Sequence, residues 1–299
     1  MSDVVAIRSW LYAPGNNVKL LQRVFTAGAD AVILDLEDAV PPAEKERARA
    51  MVAEAVASRA GRARPSTFVR VNAPDGDRVE ADVRAVVRPG LAGLRVPKCE
   101  RAQVAARVAR TVDEAERAAG MPNGAVRLVC GIETAAGVEA SLAIASASER
   151  VDALAFGAAD FVADVGASVG EAQLETLYAR SRLVIASRVA GIRPPVDSVH
   201  GRVDDLEGLE RTTRRGKALG FFGRACIHPR QVTVVNNVYT PTADELARAR
   251  AIVDAARDAE RSGTGALGLP DGTFVDVAIV RRAELVLRVA DALRTEASR

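Results

Sequence analysis

Eight short runs of aliphatic and β-branched residues recur along the 299-residue chain, and the segments between them have the spacing of amphipathic helices. The runs cover 8–13, 31–38, 67–72, 93–98, 126–134, 153–161, 195–199 and 220–228. Between 101 and 118, for example, Val104, Val108, Val112 and Ala115 fall on one helical face and charged residues fill the other. Strand followed by helix, repeated eight times, predicts an α/β protein with the (β/α)8 TIM-barrel architecture over residues 1–240. A doubly wound open sheet would carry a glycine-rich phosphate loop after its first strand, and the chain has neither a GxGxxG nor a Walker sequence. From 241 to 299 the character changes to a charged helix (ADELARARAIVDAARDAERS), a glycine-rich link (GTGALGLPDG) and a last helix from about Val280. This C-terminal helical extension is expected to pack on the barrel or on a neighbouring subunit.

Composition narrows the chemistry. With 48% hydrophobic but only 4% aromatic residues, the core is aliphatic, and 41 basic against 39 acidic residues, interspersed, leave no basic stripe for nucleic acid. No apolar run reaches membrane-spanning length, and the N-terminal MSDVVAIRSW lacks the pattern of a signal peptide, so a cytoplasmic location without membrane partners is expected. Three widely spaced cysteines argue against a disulfide framework or thiolate metal site. The presence of only two histidines argues against a His-rich zinc site. Carboxylates are left as the plausible ligands, and the metal they suit is a hard one.

In a barrel the active site assembles at the C-terminal ends of the strands. The runs here end on polar residues: Asp35, Glu37 and Asp38; Arg70 and Asn72; Lys98; Glu133; Asp160; Asp197; His228. Glu133 and Asp160 are 27 residues apart, one strand-helix unit, which places them on neighbouring strands where one Mg²⁺ can relieve their repulsion. The alternative is that each is an acid of a helix first turn, favoured by the dipole. Arg70 can clamp a substrate carboxylate or pair with an acid of LDLED, and Glu37 or Asp38 can orient it from behind. The APGNNVKLLQR turn can receive an anion at a helix start, with Arg23 near, or be only a turn. In CIHPRQ, His228 lines a pocket or caps the last strand. The RRGKALG cluster (Arg214, Arg215, Lys217) reads as a solvated helix end.

RSWLYAPGN, AVILDLEDAV, FVRVN, VPK, GIET, FGAADF and CIHPRQ, in this order and spacing, resemble the citrate lyase beta subunit-like (CoA-ester lyase) group of the HpcH/HpaI aldolase/citrate lyase superfamily, related to the malyl-CoA lyases. The resemblance implies a TIM barrel, Mg²⁺ (with Mn²⁺ as a substitute) on Glu133 and Asp160, and a carboxylate-binding Arg70. It further implies that Tyr12, Ala13, Asn17, Arg23, Ala159, Ile227 and His228 contact the substrate or its CoA. Asn17 stands where some relatives have arginine. Asp276, in TFVDVAIV, matches an acid that reaches the active site of an adjacent subunit, which implies a homo-oligomer, a trimer or hexamer. The short segment between FGAADF and PPVDSV is like that of the citrate lyase beta group.

The expected reaction is carbon-carbon cleavage, or its reverse, of a 3-hydroxy-3-carboxyacyl-CoA such as citryl-, malyl- or citramalyl-CoA, giving acetyl-CoA or a homologue and a 2-oxo acid. Arg70 anchors the carboxylate and Asp276 exchanges the proton at the departing carbon. A metal-dependent aldolase acting on free 2-oxo acids, and an accessory subunit of a citrate lyase complex, are the alternatives.

Overall fold

The computed structural model describes residues 6–170, 172–262, 267–268 and 274–297. It divides into a main unit, Ile7–Asn236, and a second one formed chiefly by the chain after Asn236.

In the main unit the strands β1 (Ser9–Pro14), β2 (Ala31–Asp35), β3 (Ser66–Arg70), β4 (Gly93–Val96), β5 (Arg127–Ile132), β6 (Val151–Phe156) and β7 (Arg224–Cys226) form one curled parallel sheet in the order β6-β5-β4-β3-β2-β1-β7. From β1 to β6 consecutive strands are neighbours, each returned by a crossover, and β7 pairs with β1. The run expected at 195–199 contributes only two bridging residues. Val196 pairs with Ala155 of β6 and Asp197 with Arg224 of β7. Their backbone bonds, Val196 N to Leu154 O (2.9 Å), Phe156 N to Val196 O (3.0 Å), Asp197 N to Gly223 O (2.9 Å) and Ala225 N to Asp197 O (3.0 Å), link the two edges of the sheet.

The strands stop earlier than the apolar runs suggested. Leu36–Asp38, Pro97–Lys98 and Glu133–Thr134 lie beyond the pairing, and Asp160 and Phe161 belong to helix rather than strand. Polar residues end the ladder because their side chains are needed in the loops above it.

The crossovers carry helices α1 (Val18–Arg23), α2 (Lys45–Ala57), α3 (Arg78–Val86), α4 (Ala102–Ala118), α5 (Ala135–Glu139), α6 (Ser141–Ala145), α7 (Ala158–Asp164), α8 (Leu177–Ala190) and α9 (Leu206–Leu219). In α4 the face that buries is Ala105, Val108, Ala109, Val112 and Ala115, whereas Val104, expected on it, is only half-buried. Inside the ring, Ile7, Trp10, Ala31, Ile33, Phe68, Val129, Ala153, Ala155 and Val196 form one apolar plug, with the Trp10 and Phe68 rings 4.7 Å apart. Filling the lower barrel this way leaves open space only toward the strand ends.

After β7 come α10 (Pro229–Tyr239), α11 (Ala243–Ser262), a short antiparallel pair β8 (Leu267–Gly268) with β9 (Phe274–Val275), and α12 (Val277–Ala297). In the second unit, Ala249, Ile252 and Val253 of α11 pack with Val275 and Ala283, giving it a core of its own. Most of the glycine-rich link, 263–266 and 269–273, lies outside the described residues. Among the described residues no helix is long and apolar enough to cross a membrane.

Candidate active site

A cavity of about 320 Å³ opens at the strand ends of the main unit. Tyr12, Arg70, Glu133, Ala159, Asp160 and Ile227, all predicted from sequence, line it, together with Asp35, Arg95 and Asp197. Alternation along β1 explains the split among its residues. Trp10, Tyr12 and Pro14 face the cavity, while Ala13 is buried on the other side.

Ala13, Asn17, Arg23 and His228 do not line this space. Asn17 is exposed and caps α1, its side chain accepting from Leu20 N at 3.1 Å, and Arg23 is exposed at the end of that helix. Half-buried His228 accepts from Arg230 N through Nδ1 at 3.2 Å, so it organises the start of α10. The PGN turn is a tight one: a Cβ at Gly15 would lie 2.5 Å from the carbonyl oxygen of Asp35, and Gly15 N donates to that oxygen at 2.8 Å. Asp276 lies in the second unit. It is exposed and caps α12, accepting from Ile279 N at 2.9 Å.

Arg70 closes β3. Its Nε and Nη2 donate to the two carboxylate oxygens of Asp35 at 2.7 and 2.6 Å, and Nη1 stands 2.8 Å from Glu37 and 3.6 Å from Asp38. The ion pair with LDLED is therefore formed, and its bidentate partner is Asp35 instead of Glu37 or Asp38. The Nε edge is filled, so only the outer N–H groups of the two terminal nitrogens can meet a ligand. Tyr12 lies under the guanidinium, 5.1 Å from ring centre to Cζ, which fixes its plane.

Glu37 sits behind Arg70, buried, with neither oxygen accepting a hydrogen bond and Lys98 Nζ 3.3 Å away. Burial pushes its carboxyl up to about 7, against the pull of Arg70. The folded chain thus holds this proton more tightly than the unfolded chain, where the group titrates near 4.5. Its stabilising contribution is full below pH 4.5 and is lost as pH rises through about 7. Glu37→Gln should flatten that part of the stability curve, an effect on the order of 2 kcal/mol, measured by denaturant unfolding from about pH 5 to about pH 8.

Glu133 follows β5 and is 4% exposed. The helix-cap alternative belongs to its neighbour, for Thr134 accepts from Gly137 N at 3.2 Å and caps α5. Glu133 turns inward instead. Burial raises its pKa, Arg95 opposes this, and Asp160 adds to it. Asp160 is an exposed residue in the first turn of α7, so for it the helix-dipole position and the cavity position coincide. The room Glu133 occupies is made by two glycines. A Cβ at Gly157 would lie 2.6 Å from its Cγ, and one at Gly131 would lie 2.5 Å from its Oε1. Among the described residues, no group of three or more His, Cys, Asp or Glu side chains converges in a way that could hold a metal. Mg²⁺ is an ion that commonly binds through one or two carboxylates and takes its other ligands from water and substrate.

The residue that sequence reading missed is Arg95, third in the strand GLRV. It pairs in register with Arg70 on one side and Val129 on the other, so it shares the inward face of both. Residue 197 was expected only as a strand-end acid. The structure ties it to Arg180 Nη2 at 2.8 Å and Ser198 N at 2.8 Å, which leaves it a wall group.

Residues 8–229 match the family described as HpcH/HpaI aldolase/citrate lyase. The chain belongs to this family. Similarity to individual members runs over nearly the whole length. It is 35% identical to the citrate lyase subunit beta of Leuconostoc mesenteroides subsp. cremoris, covering 95% of this chain and 93% of that protein. It is 34% identical to an L-malyl-CoA/beta-methylmalyl-CoA lyase of Cereibacter sphaeroides, covering 95% and 94%. Among solved structures it resembles protein CitE of Mycobacterium tuberculosis in complex with magnesium, acetoacetate and coenzyme A. The TM-score is 0.76 at 30% identity, covering 96% of this chain and 98% of that one. The chain is thus a lyase of the HpcH/HpaI type, and the family match spans every cavity residue from Trp10 to Ile227.

Proposed function

We propose that the chain is a Mg²⁺-dependent CoA-ester lyase that cleaves, or forms, a carbon-carbon bond in a 3-hydroxy-3-carboxyacyl-CoA of the citryl-, malyl- or citramalyl-CoA kind. The products of cleavage are acetyl-CoA or a homologue and a 2-oxo acid. The observation that carries this reading is the pair Glu133 and Asp160 on one cavity wall, coupled electrostatically and given no protein cation in hydrogen-bond contact with Glu133. A buried carboxylate whose cation, Arg95 at 3.6 Å, stands beyond hydrogen-bond reach is costly, and a dication relieves that cost. The complex of the Mycobacterium tuberculosis relative with magnesium, acetoacetate and coenzyme A supports the same assignment.

Glu133 and Asp160 would hold the ion, Mg²⁺ or Mn²⁺, which when bound supplies Lewis-acid stabilisation of oxygen charge. Arg70, locked by Asp35, presents its outer N–H groups to the substrate carboxylate without having to reorganise. Tyr12 keeps that guanidinium planar against the wall, and burial raises the pKa of its phenol, so it stays a neutral donor. Asp276 would carry the proton for the acyl carbon, acting on a neighbouring subunit in a trimer or hexamer. Asp276 is exposed on the second unit and accepts from Ile279 N through Oδ1, so Oδ2 is the oxygen proposed for that role.

The test is a screen of purified protein with Mg²⁺, acetyl-CoA or propionyl-CoA, and glyoxylate, pyruvate or oxaloacetate. Condensation that needs both the thioester and Mg²⁺ is expected. Turnover of free 2-oxo acids without CoA would replace the reading with an aldolase, and activity only with an acyl-carrier partner would make the chain an accessory subunit. Gly157→Ala should weaken Mn²⁺ binding about 10- to 100-fold by displacing Glu133. Gly201→Ala is the control, since a Cβ there meets nothing within 4 Å, and it should bind as the unaltered protein does. Electron paramagnetic resonance of free Mn²⁺ reads both.

A further inference from the structure

Asp160 is carried on α7, a seven-residue helix whose first turn has little packing to hold it. Phe161 and Val162 are buried, and the rings of Phe156 and Phe161 stand 5.5 Å apart, so apolar contact fixes one side of the helix. On the other side Ala159 and Asp160 are exposed, and Ala158 is half-buried. A helix start is normally ordered by a capping side chain on the residue before it, which satisfies one of the free N–H groups. Here that residue is Gly157, which can carry none, because a Cβ would lie 2.6 Å from Cγ of Glu133. The room that Glu133 needs therefore strips the cap from the helix that bears its partner acid.

The missing cap comes from across the ring. Ser198 Oγ accepts at 3.1 Å from Ala158 N, the first N–H of α7, two residues before Asp160. Ser198 is 7% exposed and lines the same cavity as Glu133 and Asp160. Its own place is fixed in turn. Ser198 N donates to Asp197 Oδ1 at 2.8 Å, Arg180 Nη2 of α8 donates to Asp197 Oδ2 at 2.8 Å, and Asp197 N donates to Gly223 O at 2.9 Å. Gly216 of α9 leaves room for this pair, since a Cβ there would lie 2.3 Å from Asp197 Oδ2. Gly157 N donates to Ile132 O at 3.0 Å and holds the chain just ahead of the helix, so Ser198 is the side chain that sets where the first turn begins.

We infer, on the metal reading above, that Ser198 is a positioning residue for Asp160: it caps α7 in place of Gly157 and so sets the carboxylate of Asp160 against that of Glu133. It acts through the backbone of α7. A neutral hydroxyl suits this place, because an aspartate, equally able to cap, would add a third negative charge beside two carboxylates that already repel each other.

The experiment is Mn²⁺ binding to the full chain, read by electron paramagnetic resonance of the free ion, beside thermal melts in chelator. Ser198→Ala should weaken Mn²⁺ about 10- to 100-fold, the usual effect of losing a group that orients a metal ligand. Ser198→Cys, close in size but a poor acceptor, should lose affinity in the same direction, and it is the informative variant if the alanine one does not fold. Ser198→Thr keeps the capping oxygen and should bind within about threefold of the unaltered protein. In chelator Ser198→Ala should melt only about 2–4 °C lower, the shift of one lost cap in a chain of this size. Unchanged Mn²⁺ affinity in Ser198→Ala, whatever its melting point, would make the bond a prop of the fold alone and would overturn the inference. So would a threonine variant as weak as the alanine one, because the oxygen would then not be the agent. Both of these results leave the metal site itself standing. Failure of the unaltered protein to bind Mn²⁺ would remove the metal reading and the role of Ser198 with it.

Discussion

Glu133→Gln should lower metal-dependent turnover by about a thousandfold or more while leaving the fold in place, and Asp160→Asn should do the same. The two variants are expected to part company in stability. Glu133 is buried, its pKa is raised chiefly by burial, and its nearest cation is 3.6 Å away, so in the metal-free protein its charge is a cost. The neutral amide removes that cost, and Glu133→Gln should melt higher than the unaltered protein when chelator is present. Asp160 is exposed in the first turn of α7, where a negative charge is mildly favourable, and its amide variant should melt slightly lower. Steady-state rates against Mg²⁺ and thermal melts in chelator check both halves. Full activity in either variant would remove that residue from the metal site. A lower melting point for Glu133→Gln would show that its carboxylate has a partner in the free protein. The contrast is the usual one between a site built for chemistry and a core built for stability.

Arg150→Met should destabilise the main unit by about 3–5 kcal/mol, the largest stability loss expected from a residue outside the cavity. Arg150 donates to Asp113 at 2.8 Å, to Glu116 and the carbonyl of Val126 at 2.9 and 3.0 Å, and to Asn123 at 2.9 Å. Glu116, only 1% exposed, also accepts from Gly124 N and Val126 N at 3.0 and 2.7 Å. One guanidinium therefore joins the end of α4, the loop into β5 and the loop into β6. Removing it strands Glu116 in the interior with two backbone donors and no counter-charge. Burial tends to raise the pKa of Glu116, but Arg150 and the two amides together hold it below the ordinary carboxylate value. Its contribution is accordingly present above about pH 4.5 and lost as pH falls through the lowered folded value. Urea unfolding at neutral pH should show the full loss and unfolding in acid a smaller one. A change under 1 kcal/mol at neutral pH would mean that the network only decorates the helix end.

These two variants mark what could and could not be read from the chain. The barrel was legible because seven of the eight apolar runs become strands with the expected crossovers. Even the reduced run at 195–199 keeps its place in the ring through Val196 and Asp197. Glu133, Asp160 and Arg70 were visible because a polar residue that ends an apolar run has to face something. Asp35 was harder to single out, being one of three acids in LDLED, and only the register of β2 with β3 places it opposite Arg70. Arg95 was hidden for a different reason. It lies inside an apolar strand of a chain with 41 basic residues, most of them on helices, so only the closed ring reveals that it points into the cavity. The Arg150 network joins residues 34 and 37 positions apart, and no local pattern announces such a pairing. Asn17 and His228 show local roles that the sequence did not announce. Both were carried over as substrate contacts, and both have side chains engaged in shaping helix starts.

The clearance around Glu133 also bears on how this chain can drift. Position 157 can accept a side chain only if position 133 gives up a long one, and position 131 is bounded by the same carboxylate and by the backbone of Val96 and Pro97. Two residues with no chemistry of their own thus share the fate of the one that has it. A lineage that loses the acid frees Gly157 to vary, while the backbone of Val96 and Pro97 still crowds position 131, so a substituted Gly157 would be a lasting record that the activity had already gone.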